Sequence, residues 1–134
     1  MSRYCLDTSA YSHFRRGEEE VTTLLDGAEW IGVPAVVLGE LRTGFLLGLR
    51  REKNESELQE FLAHPSVEEL PVEGEVSRHY AGIVADLRRA GTPLPTNDLW
   101  IAATAARHGA LVLTYDSHFE SIARVGSVVL GQRR

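Results

Sequence analysis

The sequence predicts a single α/β domain with a mostly parallel central sheet flanked by helices. Short apolar segments typical of strands alternate with segments whose apolar residues recur at helical spacing. The 134 residues contain no internal repeat, low-complexity tract or dividing linker, so residues 1–134 are predicted to form one domain. Because helices separate successive strands, crossover connections are expected, and these favour parallel pairing.

The first half of the chain alternates two predicted strands with three predicted helices. Residues 3–9 are an apolar strand that ends in a polar triplet, and residues 18–25 open with acids, which suit the positive end of a helix. Residues 30–33 form a second short strand. Residues 34–49 begin at a proline and carry leucines and a phenylalanine at helical spacing. Residues 55–63 are predicted to be the third helix.

The second half continues this alternation. Residues 67–72 are a short strand, and residues 76–87 keep helical spacing until a glycine ends the pattern. A stretch with two prolines then precedes a helix over residues 99–108, which Asn97 or Asp98 is predicted to cap. The last two predicted strands are residues 111–114 and 125–130.

Composition restricts the class of protein. Hydrophobic residues make up 43% of the chain, but no apolar run approaches the roughly 18 residues needed to cross a bilayer. No secretory leader pattern is visible, so a cytoplasmic protein with no membrane partner is predicted. The single cysteine, Cys5, excludes an internal disulfide and is expected to be a buried apolar residue. The net charge of −5 argues against indiscriminate nucleic-acid binding, although a local basic patch is compatible with it.

Four acids lie far apart in the sequence, each where an apolar segment ends or a helix turns: Asp7, Glu40, Asp98 and Asp116. Asp7 and Asp116 follow strands, and the carboxyl ends of strands face the ligand crevice of an α/β sheet. Taken singly, each acid could instead cap a helix, begin a turn or face solvent. Carboxylates gathered in one place repel one another unless a divalent cation lies among them. The combined pattern therefore predicts a metal-dependent enzyme.

Four segments around these acids carry a resemblance to a known family. They are Leu6-Asp7-Thr8-Ser9, Gly39-Glu40-Leu41 with Gly44 following, the run from Asn97 to Ala103, and the run from Leu113 to Phe119. In order and spacing they resemble the PIN domain and, within that superfamily, the VapC ribonuclease toxins of prokaryotic toxin–antitoxin pairs. One departure is His118, where many relatives carry a further acid, so a fifth carboxylate is missing.

The resemblance implies an endoribonuclease that hydrolyses RNA phosphodiester bonds with Mg²⁺, or with Mn²⁺ as a substitute. Asp7 and Asp98 would bind the ion directly, with Asp116 beside them. Glu40 would hold a second ion or an ion-bound water, or orient the nucleophile. Residues that would support the carboxylates are Thr8, Ser9, Asn97 and Thr114. Arg42, a neighbour of Glu40, would contact RNA phosphate.

The resemblance also implies partners: a cognate antitoxin that blocks the active-site groove, an RNA substrate and a second copy of the chain in a homodimer. The apolar run Phe45-Leu46-Leu47 gives this local support, because it has too many apolar faces for a solvated helix. The five histidines lack metal-ligand spacing, and His118 is the one near the proposed acidic cluster.

Other classes fit the residues less well. A haloacid-dehalogenase-type phosphatase would require an aspartate two residues after Asp7, where this chain has Ser9. A receiver domain would require a lysine after a late strand, whereas the single lysine is Lys53, in mid-chain. A housekeeping PIN nuclease of RNA processing and a non-catalytic PIN-like binding module both stay open as alternatives.

Overall fold

The computed structural model describes residues 2–132, which contain a five-stranded sheet of order β3-β2-β1-β4-β5. The strands are β1 (Arg3–Leu6), β2 (Trp30–Pro34), β3 (Val67–Leu70), β4 (Leu111–Thr114) and β5 (Ser127–Val129). All of their pairings are parallel. The predicted α/β class is confirmed, and the sheet is wholly parallel rather than mostly so.

Six helices of the described residues lie in the connections between strands. They are α1 (Thr8–Arg15), α2 (Glu19–Asp26), α3 (Ala35–Leu47), α4 (Arg51–Leu62), α5 (Gly74–Ala90) and α6 (Thr96–Arg107), and a 3₁₀ turn covers Ser117–Ser121. Five of the helices were predicted, with ends that differ by a few residues. Apolar periodicity missed α1 because its buried residues are only Ala10 and Tyr11.

The structure corrects two local predictions about helix starts. The polar triplet after β1 does not end a strand, because Asp7 caps α1 and its side chain accepts a hydrogen bond from the Ala10 amide. Neither Asn97 nor Asp98 caps α6, since that helix begins at Thr96 with Pro95 at the cap position. Proline suits this position because its fixed φ and missing N–H are compatible with a helix start. Asp98 therefore lies inside the first turn.

The order of the strands creates a crevice beside β1. The chain leaves β1 toward β2 and β3 on one side and then returns to place β4 on the other side. In open parallel sheets, ligands bind outside the carboxyl ends of the strands where the strand order reverses in this way. The Asp7 amide donates to the Leu113 carbonyl at 3.2 Å, which aligns the ends of β1 and β4 at this switch point.

Three further features of the fold bear on what the sequence predicted. Cys5 is fully buried, as predicted, and burial raises the pKa of its thiol far above the usual range, so the thiol stays protonated. At the end of α3 the side chains of Leu46, Leu47 and Leu49 are exposed. No helix among residues 2–132 is long and apolar enough to cross a membrane.

Candidate active site

The structure brings the four predicted acids together at one cavity of about 360 Å³. Asp7 and Asp116 come after β1 and β4, the two strands at the switch point. Glu40 comes from α3, which starts directly after β2, and Asp98 comes from the first turn of α6. Two strand ends and two helices therefore supply the carboxylates, and successive acids of the set are 33, 58 and 18 residues apart in the sequence.

Asp7 is buried and its carboxylate is held by three donors. Oδ1 accepts from the Ser9 hydroxyl at 2.7 Å and from the Ala10 amide at 2.9 Å, while Oδ2 accepts from the Thr114 hydroxyl. A carboxylate offers about four lone-pair positions, so one on Oδ2 is left for a further partner. The local role as a helix cap and the predicted role as a metal ligand are thus compatible.

Two hydroxyls connect the ends of β1 and β4. The Thr114 hydroxyl donates to Asp7 and accepts from the Asp116 amide at 2.8 Å. The Ser9 hydroxyl donates to Asp7 and accepts from the Tyr115 amide at 3.0 Å. Both hydroxyls therefore use a donor and an acceptor position to fix the backbone after β4 relative to the Asp7 carboxylate.

Glu40 is oriented by residues from two other helices. Its Oε1 accepts from the Thr8 hydroxyl of α1 at 2.6 Å, and its Oε2 accepts from the Asn97 side-chain amide of α6 at 3.2 Å. Each oxygen retains capacity for another donor or an ion. All four residues predicted to support the carboxylates, Thr8, Ser9, Asn97 and Thr114, thus make hydrogen bonds to Asp7 or Glu40.

Asp98, Asp116 and His118 form a group whose ligand atoms lie within 4.8 Å of one another. Asp116 caps the 3₁₀ turn, because its Oδ1 accepts from the His118 amide at 2.9 Å. An ion bound at about 2.0–2.2 Å from each donor requires ligand atoms within roughly 4.4 Å of one another. The group is close to that spacing, and carboxylates and imidazole are donors that divalent cations take, so the residues fit such an ion.

Burial and, after it, an excess of negative charge raise the pKa of two acids in the cavity. Burial raises the pKa of Asp7, and the charge on Asp116 adds to this, against lowering by hydrogen bonds from Thr114, Ala10 and Ser9. Burial also raises the pKa of Asp98. The charges on Asp116, Asp7 and Glu40 raise it further, and His118 opposes them. A bound cation would relieve this repulsion, which explains why the group would take one.

Three polar or charged residues of the cavity were not predicted as site residues: Ser12, His13 and Arg16. They lie on or directly after α1, the helix that apolar periodicity missed. His13 is fixed by a 2.8 Å contact between its Nδ1 and the Ser9 carbonyl, and its ring stacks on Tyr115 at 3.7 Å between centroids. The signal was present as Asp7-Thr8-Ser9, a pattern typical of a helix start. A helix from that point places Ser9, Ser12, His13 and Arg16 on one face.

Arg42 is not brought to this cavity. Residues two apart on a helix point in different directions, so Arg42 does not share the direction of Glu40. Its guanidinium forms two 3.0 Å hydrogen bonds with the Glu55 carboxylate and lines a different cavity, between α3 and α4. A phosphate contact by Arg42 would require this ion pair to open.

Comparison with known proteins gives a consistent result. The PIN domain family matches residues 4–125. Ribonuclease VapC4 of Mycobacterium tuberculosis is 38% identical over 104 residues, which cover 78% of this chain and 79% of that protein. Ribonuclease VapC5 of the same organism is 30% identical over 123 residues, covering 92% and 90%. The fold also matches the crystal structure of VapBC-5 from Mycobacterium tuberculosis, a member of the VapBC family of toxin–antitoxin systems. The TM-score is 0.77 and the sequence identity is 27%, and the match covers 97% of this chain and 100% of that chain.

Proposed function

Since the chain belongs to the PIN domain family and, within it, to the VapC ribonucleases, we propose that it is a cytoplasmic, metal-dependent endoribonuclease that acts as the toxin of a toxin–antitoxin pair. The single observation that carries this proposal is the convergence of four acids on one cavity at the switch point of the sheet. Such a cluster suits phosphodiester hydrolysis, in which negative charge must be stabilised on a phosphate.

The acids divide into two sets by their surroundings. Asp98 and Asp116, with the free position on Asp7 Oδ2, are the residues that would hold Mg²⁺ or Mn²⁺. When bound, such an ion lowers the pKa of a coordinated water and stabilises charge on the phosphate. Glu40, held by Thr8 and Asn97, would instead orient the attacking water, because its hydrogen bonds fix the carboxylate while leaving acceptor capacity on both oxygens.

RNA would approach a mainly acidic cavity that Arg16 also lines. Phosphate contacts position a nucleic acid without reading its sequence. Arg16 is exposed and lines the cavity that holds the acids, so it is well placed for a phosphate next to the cleaved bond. Arg42 is a second candidate, provided that its pair with Glu55 opens. The preference for RNA follows from the relatives, since hydrolysis of this kind does not use the ribose 2′-hydroxyl.

The exposed apolar side chains at the end of α3 support a protein partner. Leu46, Leu47 and Leu49 are 65%, 85% and 104% exposed and follow one another closely along the chain. Beside them, Phe45 and Leu46 line a cavity of about 550 Å³ between α3 and α4. Contiguous exposed apolar surface marks protein interaction sites. We propose that this surface takes part in binding a cognate antitoxin or the second copy of a homodimer.

The function is tested by incubating purified protein with total RNA and sequencing the new ends. Water activated at a metal site leaves a 5′-phosphate and a 3′-hydroxyl, so fragments with these ends are expected in Mg²⁺ or Mn²⁺ and not in EDTA. Asp7→Asn and Asp98→Asn variants should give none. Cleavage that persists in EDTA, or that leaves cyclic phosphates, would contradict the proposal. No cleavage with any ion would favour the non-catalytic binding module.

A further inference from the structure

A histidine, His118, lies beside two acids of the cavity, Asp98 and Asp116. His118 Nδ1 lies 3.1 Å from Asp116 Oδ2 and 3.8 Å from Asp98 Oδ2, so the imidazole nitrogen faces the oxygens of both acids. The nitrogen and one oxygen from each carboxylate form the group whose ligand atoms lie within 4.8 Å of one another. The donor set offered to a cation is therefore mixed, with one nitrogen and two oxygens.

The position of His118 is set by the backbone. Its amide donates to the Asp116 carboxylate at 2.9 Å, which fixes the first residues of the 3₁₀ turn. The next residue, Phe119, is fully buried in the core and anchors the turn from its other side. A capping bond and a buried neighbour therefore fix the backbone of His118 beside Asp116, while 52% of its side chain is exposed.

We infer that His118 is a metal ligand and that it makes this site select first-row transition ions over Mg²⁺. Mg²⁺ is a hard cation that takes oxygen ligands and keeps several waters. Imidazole suits transition ions, and affinity at a mixed nitrogen and oxygen site rises from Mn²⁺ toward Co²⁺. Of these three ions, the chain would thus bind Co²⁺ most tightly, Mn²⁺ next and Mg²⁺ least. The inference rests on the proposed function only in taking the acidic cavity as the metal site.

The direct test is pulsed electron paramagnetic resonance of the Mn²⁺-loaded protein, which detects ¹⁴N bonded to the ion. Wild-type protein should show imidazole ¹⁴N coupling, and His118→Asp should lose it. The matched control is His13→Asn, which removes the histidine that lines the cavity and should retain the coupling. Absence of coupling in Mn²⁺-loaded wild-type protein, or its loss in His13→Asn, would overturn the inference.

A calorimetric titration adds a second readout that does not depend on activity. The ratio of the Mg²⁺ to the Co²⁺ dissociation constant should fall by about 10- to 100-fold in His118→Asp, because an oxygen replaces the nitrogen ligand. An unchanged ratio would contradict the role of His118. Metal-dependent RNA cleavage without ¹⁴N coupling would refute this inference and leave the proposed function standing. Imidazole ¹⁴N coupling without any RNA cleavage would support this inference and contradict the proposed function.

Discussion

The hydroxyl of Thr114 donates a hydrogen bond to the carboxylate of Asp7, 107 positions away in the sequence. The two residues lie at the carboxyl ends of β4 and β1, which pair in parallel. The same buried hydroxyl accepts from the Asp116 amide at 2.8 Å. One small group therefore fixes two of the four acids relative to each other, which gives the site a rigid base on the sheet.

Removal of this hydroxyl should weaken metal binding. Thr114→Val keeps the shape of the side chain but leaves the Asp116 amide without its partner and takes one donor from Asp7. We expect metal affinity or cleavage to fall by about 10- to 100-fold and the free energy of unfolding to fall by about 1–3 kcal/mol. Calorimetric metal titration and urea unfolding measure the two effects. Thr114→Ser, which keeps the hydroxyl, is the control, and equal metal affinity in all three proteins would refute the role of Thr114.

Asp98→Asn should stabilise the metal-free protein while it abolishes cleavage. Burial and the charges on Asp116, Asp7 and Glu40 raise the pKa of Asp98, so the folded state binds its proton more tightly than the unfolded state. Wild-type stability therefore falls as pH rises from the ordinary carboxyl pKa through the raised folded value, and the penalty is complete above it. Asparagine does not ionise, so Asp98→Asn avoids this loss of stability.

Urea unfolding in EDTA at several pH values tests this. The stability advantage of Asp98→Asn should be absent below the ordinary pKa of about 3.9, grow as pH rises, and become constant above the raised pKa. A variant that is less stable than wild type at neutral pH would contradict the repulsion described for the cavity. Saturating Mn²⁺ should reverse the order, because only the wild-type protein gains stability from the ion.

Leu47→Ser and Leu49→Ser should reduce association without unfolding the chain. Both side chains are largely exposed, and substitutions at such positions change stability by about 0.5 kcal/mol or less. We expect weaker binding to the antitoxin, or a shift from dimer to monomer in sedimentation, with an unchanged melting temperature. Val72→Ser is the control, because Val72 is exposed but lies outside the α3 end. Unaltered association in both leucine variants would exclude this surface as the interface.

Arg16→Ala should weaken RNA binding more than Arg42→Ala. Arg16 is exposed at the acidic cavity, whereas Arg42 is paired with Glu55. Loss of one phosphate contact lowers the dependence of log affinity on log salt by about 0.7 for a single strand. Binding to a labelled RNA at several salt concentrations, in the inactive Asp98→Asn background, measures this slope. A larger loss with Arg42→Ala would show that the ion pair opens and that Arg42 is the main contact.

Much of the fold followed from local patterns in the sequence. The five strands and the helices α2 to α6 have apolar spacing that persists over several residues, and Asp7 and Asp116 come one and two residues after apolar strands. In a parallel sheet such ends share one edge, so the meeting of these acids could be expected from the sequence. The helices that place Glu40 and Asp98 were also predicted from the sequence, and both acids lie near that edge of the sheet.

What the sequence did not reveal depends on contacts that no local pattern records. Helix α1 is short and begins at a cap rather than with an apolar stripe, so its cavity residues Ser12, His13 and Arg16 were missed. The pairing of Arg42 with Glu55 joins two helices, and adjacency to Glu40 in the sequence gave no sign of it. His118 lies beside Asp98 because β4 and α6 are in contact in the folded chain.

The acids at the switch point are proposed to bind a divalent ion that RNA cleavage requires. The most direct measurement is the rate of cleavage of one defined RNA as free Mn²⁺ is raised, in wild-type protein and in Asp98→Asn. We expect the wild-type rate to saturate at the concentration where calorimetry shows the ion to bind, and we expect no saturable rate in the variant. Equal rates in the two proteins, or a wild-type rate independent of Mn²⁺, would contradict this role of the acids.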